Sequence, residues 1–205
     1  MNFLAHLHLS GDDPGWLLGG ILGDFIHGQM TPGRFPDPIQ QGIVLHRKID
    51  AFTDTHRIWK ESKAHLASEH RRYAGIVIDV FYDHFLARHW GDFSDAPLRP
   101  WAHSTYGTLK SQLATLTSPL KATRLELAEA SILIEKMAED DWLTAYLDRS
   151  EIPTIIDRIS RRSPRLVRMR GAGDAFEENY RDFESEFLAF YPEAVRMAEA
   201  FRSTP

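Results

Sequence analysis

Asp79-Val80-Phe81-Tyr82-Asp83-His84-Phe85-Leu86-Ala87-Arg88-His89-Trp90 decides the fold class. The stretch contains neither Gly nor Pro and reads as helix. Positions four apart share a helix face, so Asp79 and Asp83 point the same way, with His84 and Arg88 one step round. The neighbours Ile76, Val77, Ile78, Val80, Phe81, Phe85 and Leu86 are apolar. Acids in such a stripe need a compensating charge, and a cation is one.

An earlier stretch has the same grammar. Gly42-Ile43-Val44-Leu45-His46-Arg47-Lys48-Ile49-Asp50-Ala51-Phe52-Thr53-Asp54 places His46, Asp50 and Asp54 at i, i+4 and i+8 among apolar residues. Two helices that present His and Asp toward a core have the donors a divalent-metal site needs. Asp54 is equally read as solvated at a helix end. Asp24, in Leu22-Gly23-Asp24-Phe25, is read evenly as a ligand or a structural hydrogen-bonder. His6 and His8 flank Leu7; both face one way if the segment is extended, and only one can face a site if it is helical. His8, His89 and Trp90 are read as packing or backbone-bonded residues.

The bulk numbers narrow the classes. A chain of 205 residues suffices for one domain with a sizeable core, and 43% hydrophobic content argues against disorder. Cysteine is absent, which excludes disulfides and zinc–thiolate sites. The net charge of −5 argues against a general nucleic-acid binder. No apolar run approaches the roughly 20 residues of a membrane span, and the N-terminus lacks a basic leader, so a cytoplasmic protein is expected.

Apolar spacing predicts helices over about 14–26, 38–54, 70–90, 109–116, 125–148, 153–159 and 175–190. Period-2 alternation appears only over 3–9, too short for a sheet. The expected architecture is all-α, one compact helical domain over 1–205. A basic stretch follows: Arg158, Arg161, Arg162, Arg165, Arg168 and Arg170, with no acid between them. Such a run suits phosphate or an acidic protein surface. The acidic stretch from Asp174 to Glu186 is a competing partner for it. No Gly-rich phosphate loop and no GxSxG elbow is present.

Several blocks together carry a resemblance. They are Met1-Asn2-Phe3-Leu4-Ala5-His6-Leu7; Gly23-Asp24-Phe25 with Gly28; His46-Arg47-x-Ile49-Asp50-x-x-Thr53-Asp54; Asp79-x-x-x-Asp83-His84-Phe85-Leu86 with Trp90; and Ser160-Arg161-Arg162-Ser163-Pro164-Arg165-Leu166. In this order the chain resembles the bacterial acyl carrier protein phosphodiesterases, from the first residue to about Tyr191. The resemblance implies a helical fold distantly like the HD phosphohydrolases. It implies hydrolysis of the phosphodiester that joins 4′-phosphopantetheine to a serine of holo-acyl carrier protein, with manganese as the usual metal and magnesium as another. Two departures stand out. The chain has no His-Asp dipeptide, only the reverse Asp83-His84, and it has Gly20 where the family pattern leads one to expect Asn.

The resulting assignment is specific. Asp24, His46 and Asp79 are expected to hold one divalent cation, with His6 as a fourth ligand. Asp50 and Asp83 are expected to orient or deprotonate water, and His84 to protonate the leaving serine oxygen. Arg161, Arg162 and Arg165 are expected to meet the acidic carrier or the phosphate. The alternatives are a phosphohydrolase for a free nucleotide or other small phosphoester, and a non-catalytic helical scaffold.

Overall fold

Helix α5, Ala74–Arg88, is buried on nearly every side, and the rest of the chain wraps it. Its apolar residues run round the whole circumference, as expected for a central helix. A computed structural model describes residues 2–31, 33–116, 121–161 and 163–204, and among them every regular element is helical. Arg162, one of the expected partner-binding residues, lies outside the described residues.

In chain order the helices are α1 (Phe3–Ser10), α2 (Pro14–Leu22), α3 (Asp37–Thr55), α4 (Arg57–Ala64), α5, α6 (Leu98–Ala114), α7 (Lys121–Glu139), α8 (Trp142–Ala145), α9 (Ile152–Ser160), α10 (Ala172–Glu178) and α11 (Tyr180–Arg202). Short 3₁₀ turns occupy Arg71–Tyr73 and Pro164–Met169. The buried apolar side chains form one cluster that draws on every helix. No described helix is long and apolar enough to cross a membrane.

The alternating segment 3–9 is the helix α1, so its apparent strand period is accidental. The helix expected over 125–148 stops at Glu139, because Asp141 takes a left-handed conformation with φ 46°. Tyr106 Oη donates to Asp141 at 3.2 Å and holds it there. Helix α6 starts well before the expected 109, since Pro100 falls in a first turn where no backbone N–H is required. Helix α11 runs past Pro192 to Arg202 because Phe187, Phe190, Tyr191, Ala194 and Ala198 keep one continuous buried face.

The α2–α3 crossing is unusually close and sets the site. Asp13 caps α2 by accepting from the N–H groups of Gly15 and Trp16, and Pro14 occupies its first turn. A Cβ on Gly19 would fall 2.4 Å from Ile39 O, and one on Gly42 would fall 2.5 Å from Trp16 O. Neither position therefore admits a side chain, and the close approach sets His46 on α3 against Gly20 and Gly23 at the end of α2.

A candidate metal centre between three helices

His6 comes from α1, Asp24 from the turn after α2, and His46 and Asp50 from α3. The structure brings all four together. His6 Nε2 lies 3.2 Å from Asp50 Oδ1, and His46 Nε2 lies 3.2 Å from Asp50 Oδ2 and 3.5 Å from Asp24 Oδ1. The two imidazoles stack with centroids 3.9 Å apart. Donor atoms of His6, His46 and Asp50 all lie within 4.8 Å of one another, a spacing one ion can bridge.

The imidazoles are oriented from behind. His46 Nδ1 donates to Gly20 O at 2.8 Å, which turns Nε2 toward the carboxylates. Gly20 also explains its own identity: a Cβ there would fall 2.5 Å from Ser10 Oγ, which donates to His6 O. His6 and His46 are each 3% exposed, whereas Asp24 and Asp50 open to solvent at 51% and 45%. The group is a buried pair of imidazoles under two accessible carboxylates.

Charge follows from that layering. Burial and the nearby His46 lower His6 to about 4. Burial works against a charged His46 as well, but the hydrogen bonds it donates to the Asp24 and Asp50 carboxylates outweigh it and raise it to about 9. Asp50 is held well below the usual carboxylate range by hydrogen bonds from His46 and His6, against the desolvation that would raise it. The His46 proton between Asp24 and Asp50 occupies the position a cation would take. Imidazole and carboxylate donors without a thiol suit a borderline divalent ion such as manganese better than a soft metal or than magnesium, which prefers an all-oxygen shell.

Asp79, expected as a ligand, lies outside this group. It is half-buried on α5 and lines a cavity with Phe3, Trp142 and Arg158. Burial raises its carboxyl above the ordinary value. Asp50, expected to orient water, sits in the group instead.

Asp83 and His84 sit in the core with other partners. Asp83 Oδ2 accepts from Leu4 N at 2.9 Å and Oδ1 from Ala5 N at 3.2 Å. Helix α1 has no side-chain cap of its own, so Asp83 caps it from across the core. Burial lifts Asp83 to about 7 despite the two N–H donors that lower it. His84 Nδ1 donates to Tyr146 O at 2.7 Å, and its Nε2 accepts from Tyr180 Oη at 2.9 Å. Both ring nitrogens are committed in a side chain 1% exposed. His8 is likewise spent, bonding Phe93 O and Tyr191 Oη.

Arg161, Arg165, Arg168 and Arg170 are exposed. The acidic stretch does not neutralise them: Glu177 pairs with Arg149, Glu184 with Arg88 and His89, and Glu186 with His65. Among the described residues these four arginines make no ion pair. His70 Nδ1 donates to Arg168 O at 2.7 Å and seats exposed Arg71 and Arg72 beside the same turn.

The sequence reading missed the cavity wall, Trp142 and Ile155 above all, and the two tyrosines that hold His84. No spacing signals them, because they come from α8, α9 and α10–α11 and meet only in the fold. The glycines at 19 and 42 mark the close helix crossing.

A helical domain that converges two buried imidazoles and two accessible carboxylates belongs to the class of helical proteins with a His/Asp centre. A family model described as acyl carrier protein phosphodiesterase matches residues 1–194. Proteins named acyl carrier protein phosphodiesterase from Yersinia pestis and Pectobacterium atrosepticum are each 34% identical over 200 residues, covering 97% of this chain and 98% of theirs. One of that name from Salmonella agona is 34% identical over 201 residues, covering 97% of each chain. The chain belongs to the acyl carrier protein phosphodiesterase family. No solved structure matches it significantly.

Proposed function

We propose that this protein hydrolyses the phosphodiester between 4′-phosphopantetheine and the serine of holo-acyl carrier protein, releasing apo-carrier and 4′-phosphopantetheine. The observation that carries the reading is the His6–His46–Asp50 group in a chain that matches the family over nearly its full length. His6, His46 and Asp50 would hold one divalent cation, manganese by the family resemblance, with Asp24 beside them. Such an ion, when bound, neutralises phosphoryl oxygens and supplies an activated water.

The chain's own residues do the rest. Gly20 O keeps the His46 tautomer and ring angle fixed. Asp24, the most exposed of the four, has room to accept a proton from water at the lip of the site. Asp83 and His84 act as positioning residues, the first by holding the N-terminus of α1 and so His6. Arg161 and Arg165, with Arg71 and Arg72, offer a positive surface that would steer an acidic carrier toward the site.

Mass spectrometry of holo-acyl carrier protein incubated with this protein and manganese tests the reading. Conversion to the apo mass, dependent on added metal, is the expected result. An unchanged holo mass at every metal concentration would overturn it.

A further inference from the structure

A cavity of ≈ 120 Å³ opens between the start of α1, the first turns of α5, α8 and α9. Phe3, Ile76, Trp142, Ile155 and Ile159 form its apolar walls. Four polar side chains interrupt them, Asn2, Asp79, Tyr146 and Arg158, with Asn2 Nδ2 donating to Tyr146 Oη at 2.9 Å. A cavity lined only by hydrocarbon suits a wholly apolar guest, whereas a few placed polar groups fix the register of a mixed one. An engineered cavity of about 150 Å³ takes benzene, so this one holds a short chain segment and no bulky body.

Its location is informative. Phe3 precedes His6 on α1 by three residues, about 4.5 Å of helical rise. Asp79, in the cavity lining, feels the negative field of Asp50 and Asp24. In the same lining, Arg158 begins the arginine run that continues through Arg161 and Arg165. The cavity therefore lies beside both the His/Asp group and the basic surface. Resting on the proposed function, a carrier docked on the arginines with its phosphodiester at the His/Asp group has to lodge the remainder of its arm nearby. That remainder is a chain of methylenes interrupted by amides and ending in a thiol.

We propose that this cavity receives the thiol-bearing half of the phosphopantetheine arm, with Trp142, Ile155 and Ile159 against its methylenes and Asn2, Asp79 and Arg158 toward its amides. The site is thus specific for the cofactor arm as well as for the phosphodiester.

Pantetheine, which lacks the phosphate, isolates this contact from the His/Asp group. Calorimetric titration of pantetheine into the full chain should show binding. Ala145→Phe, which fills the cavity, and Ile76→Asp, at a wall position 37% exposed, should each weaken it about tenfold, the loss expected for one displaced apolar contact. Both should raise KM for holo-carrier more than they lower kcat. The second variant keeps the test open if the first fails to fold. Pocket-dependent pantetheine binding by a protein that leaves holo-carrier intact would support the cavity and sink the function. Hydrolysis of holo-carrier with pantetheine affinity and KM unchanged in a folded variant would overturn the cavity and leave the function standing.

Discussion

Gly23 lies flat against the His46 imidazole: a Cβ on it would fall 2.2 Å from His46 Cγ and 2.4 Å from Cδ2. The ring cannot retreat, because its Nδ1 is bonded to Gly20 O on the same short segment. Gly23→Ala should push His46 out of line with Asp50 and cost about 1–3 kcal/mol, the usual scale of overpacking. Metal titration and thermal melting together check this. A variant that melts lower but binds manganese normally would mean the ring has slack that the packing hides.

Direct removal of a donor should be more severe. His46→Ala and Asp50→Ala should each lower manganese affinity by more than the about 10- to 100-fold typical of losing an outer partner. Helical circular dichroism should survive in Asp50→Ala, whose side chain is 45% exposed. Chelation should silence the wild type, and added manganese should restore it. Asp79→Ala should retain the metal, because Asp79 lies outside the converging group; loss of metal there would return it to the ligand set.

Asp83 ties the core to the site through backbone. Asp83→Ala would orphan the N–H groups of Leu4 and Ala5 at a buried helix start, costing about 2–4 kcal/mol when the cap and the stranded donors are counted. His6 should loosen with its helix, so metal affinity should fall alongside Tm. Asp83→Asn keeps one acceptor and should be milder on both measures. A fall in kcat with Tm and metal affinity intact would instead give Asp83 a chemical role.

The helical class and the His46–Asp50 pair were legible because both depend on local spacing. His46 and Asp50 are one turn apart, and any helix puts them on one face. The cluster itself was half legible: His6 and Asp24 are there, but Asp50 replaces Asp79. Both acids sit in apolar helices, and the difference between them is the rotation and crossing of α3 against α1, which no single helix records. Asp83 and His84 mislead for the same reason. A charged pair inside an apolar helix reads as chemistry, while the partners that explain it, Leu4, Ala5, Tyr146 and Tyr180, are 62 to 96 residues away.

His84 carries a pH signature. Burial lowers it to about 4, assisted by Arg88 and Arg149 and opposed by the Tyr146 carbonyl and Glu184. The folded ring is thus harder to protonate than the unfolded one, whose ordinary value is 6.5. Stability from this residue is complete above about pH 6.5 and is lost as pH falls toward 4. Relative to His84→Gln, which has no such proton to take up, the wild type should lose up to about 3 kcal/mol across that window. Denaturant titrations of both proteins at several pH values measure the difference directly. A flat difference, or a ring titrating near 6.5 by NMR, would mean that His84 reaches water.

The arginine surface should act on encounter and little on chemistry. Arg161 and Arg165 are exposed and unpaired among the described residues, on a chain whose net charge is −5. An acidic carrier would otherwise be repelled by that overall charge, so a local positive patch has to overcome it. Reversing both in Arg161→Glu/Arg165→Glu should raise KM for holo-carrier about tenfold or more at low salt, with kcat nearly unchanged. The screening length shrinks from about 10 Å at 0.1 M salt to 3 Å at 1 M, so the gap between variant and wild type should narrow as salt rises. A KM difference that persists undiminished in high salt would point to a direct contact with the phosphate. No difference at low salt would make the stretch an ordinary solvated face, and the carrier would have to dock elsewhere.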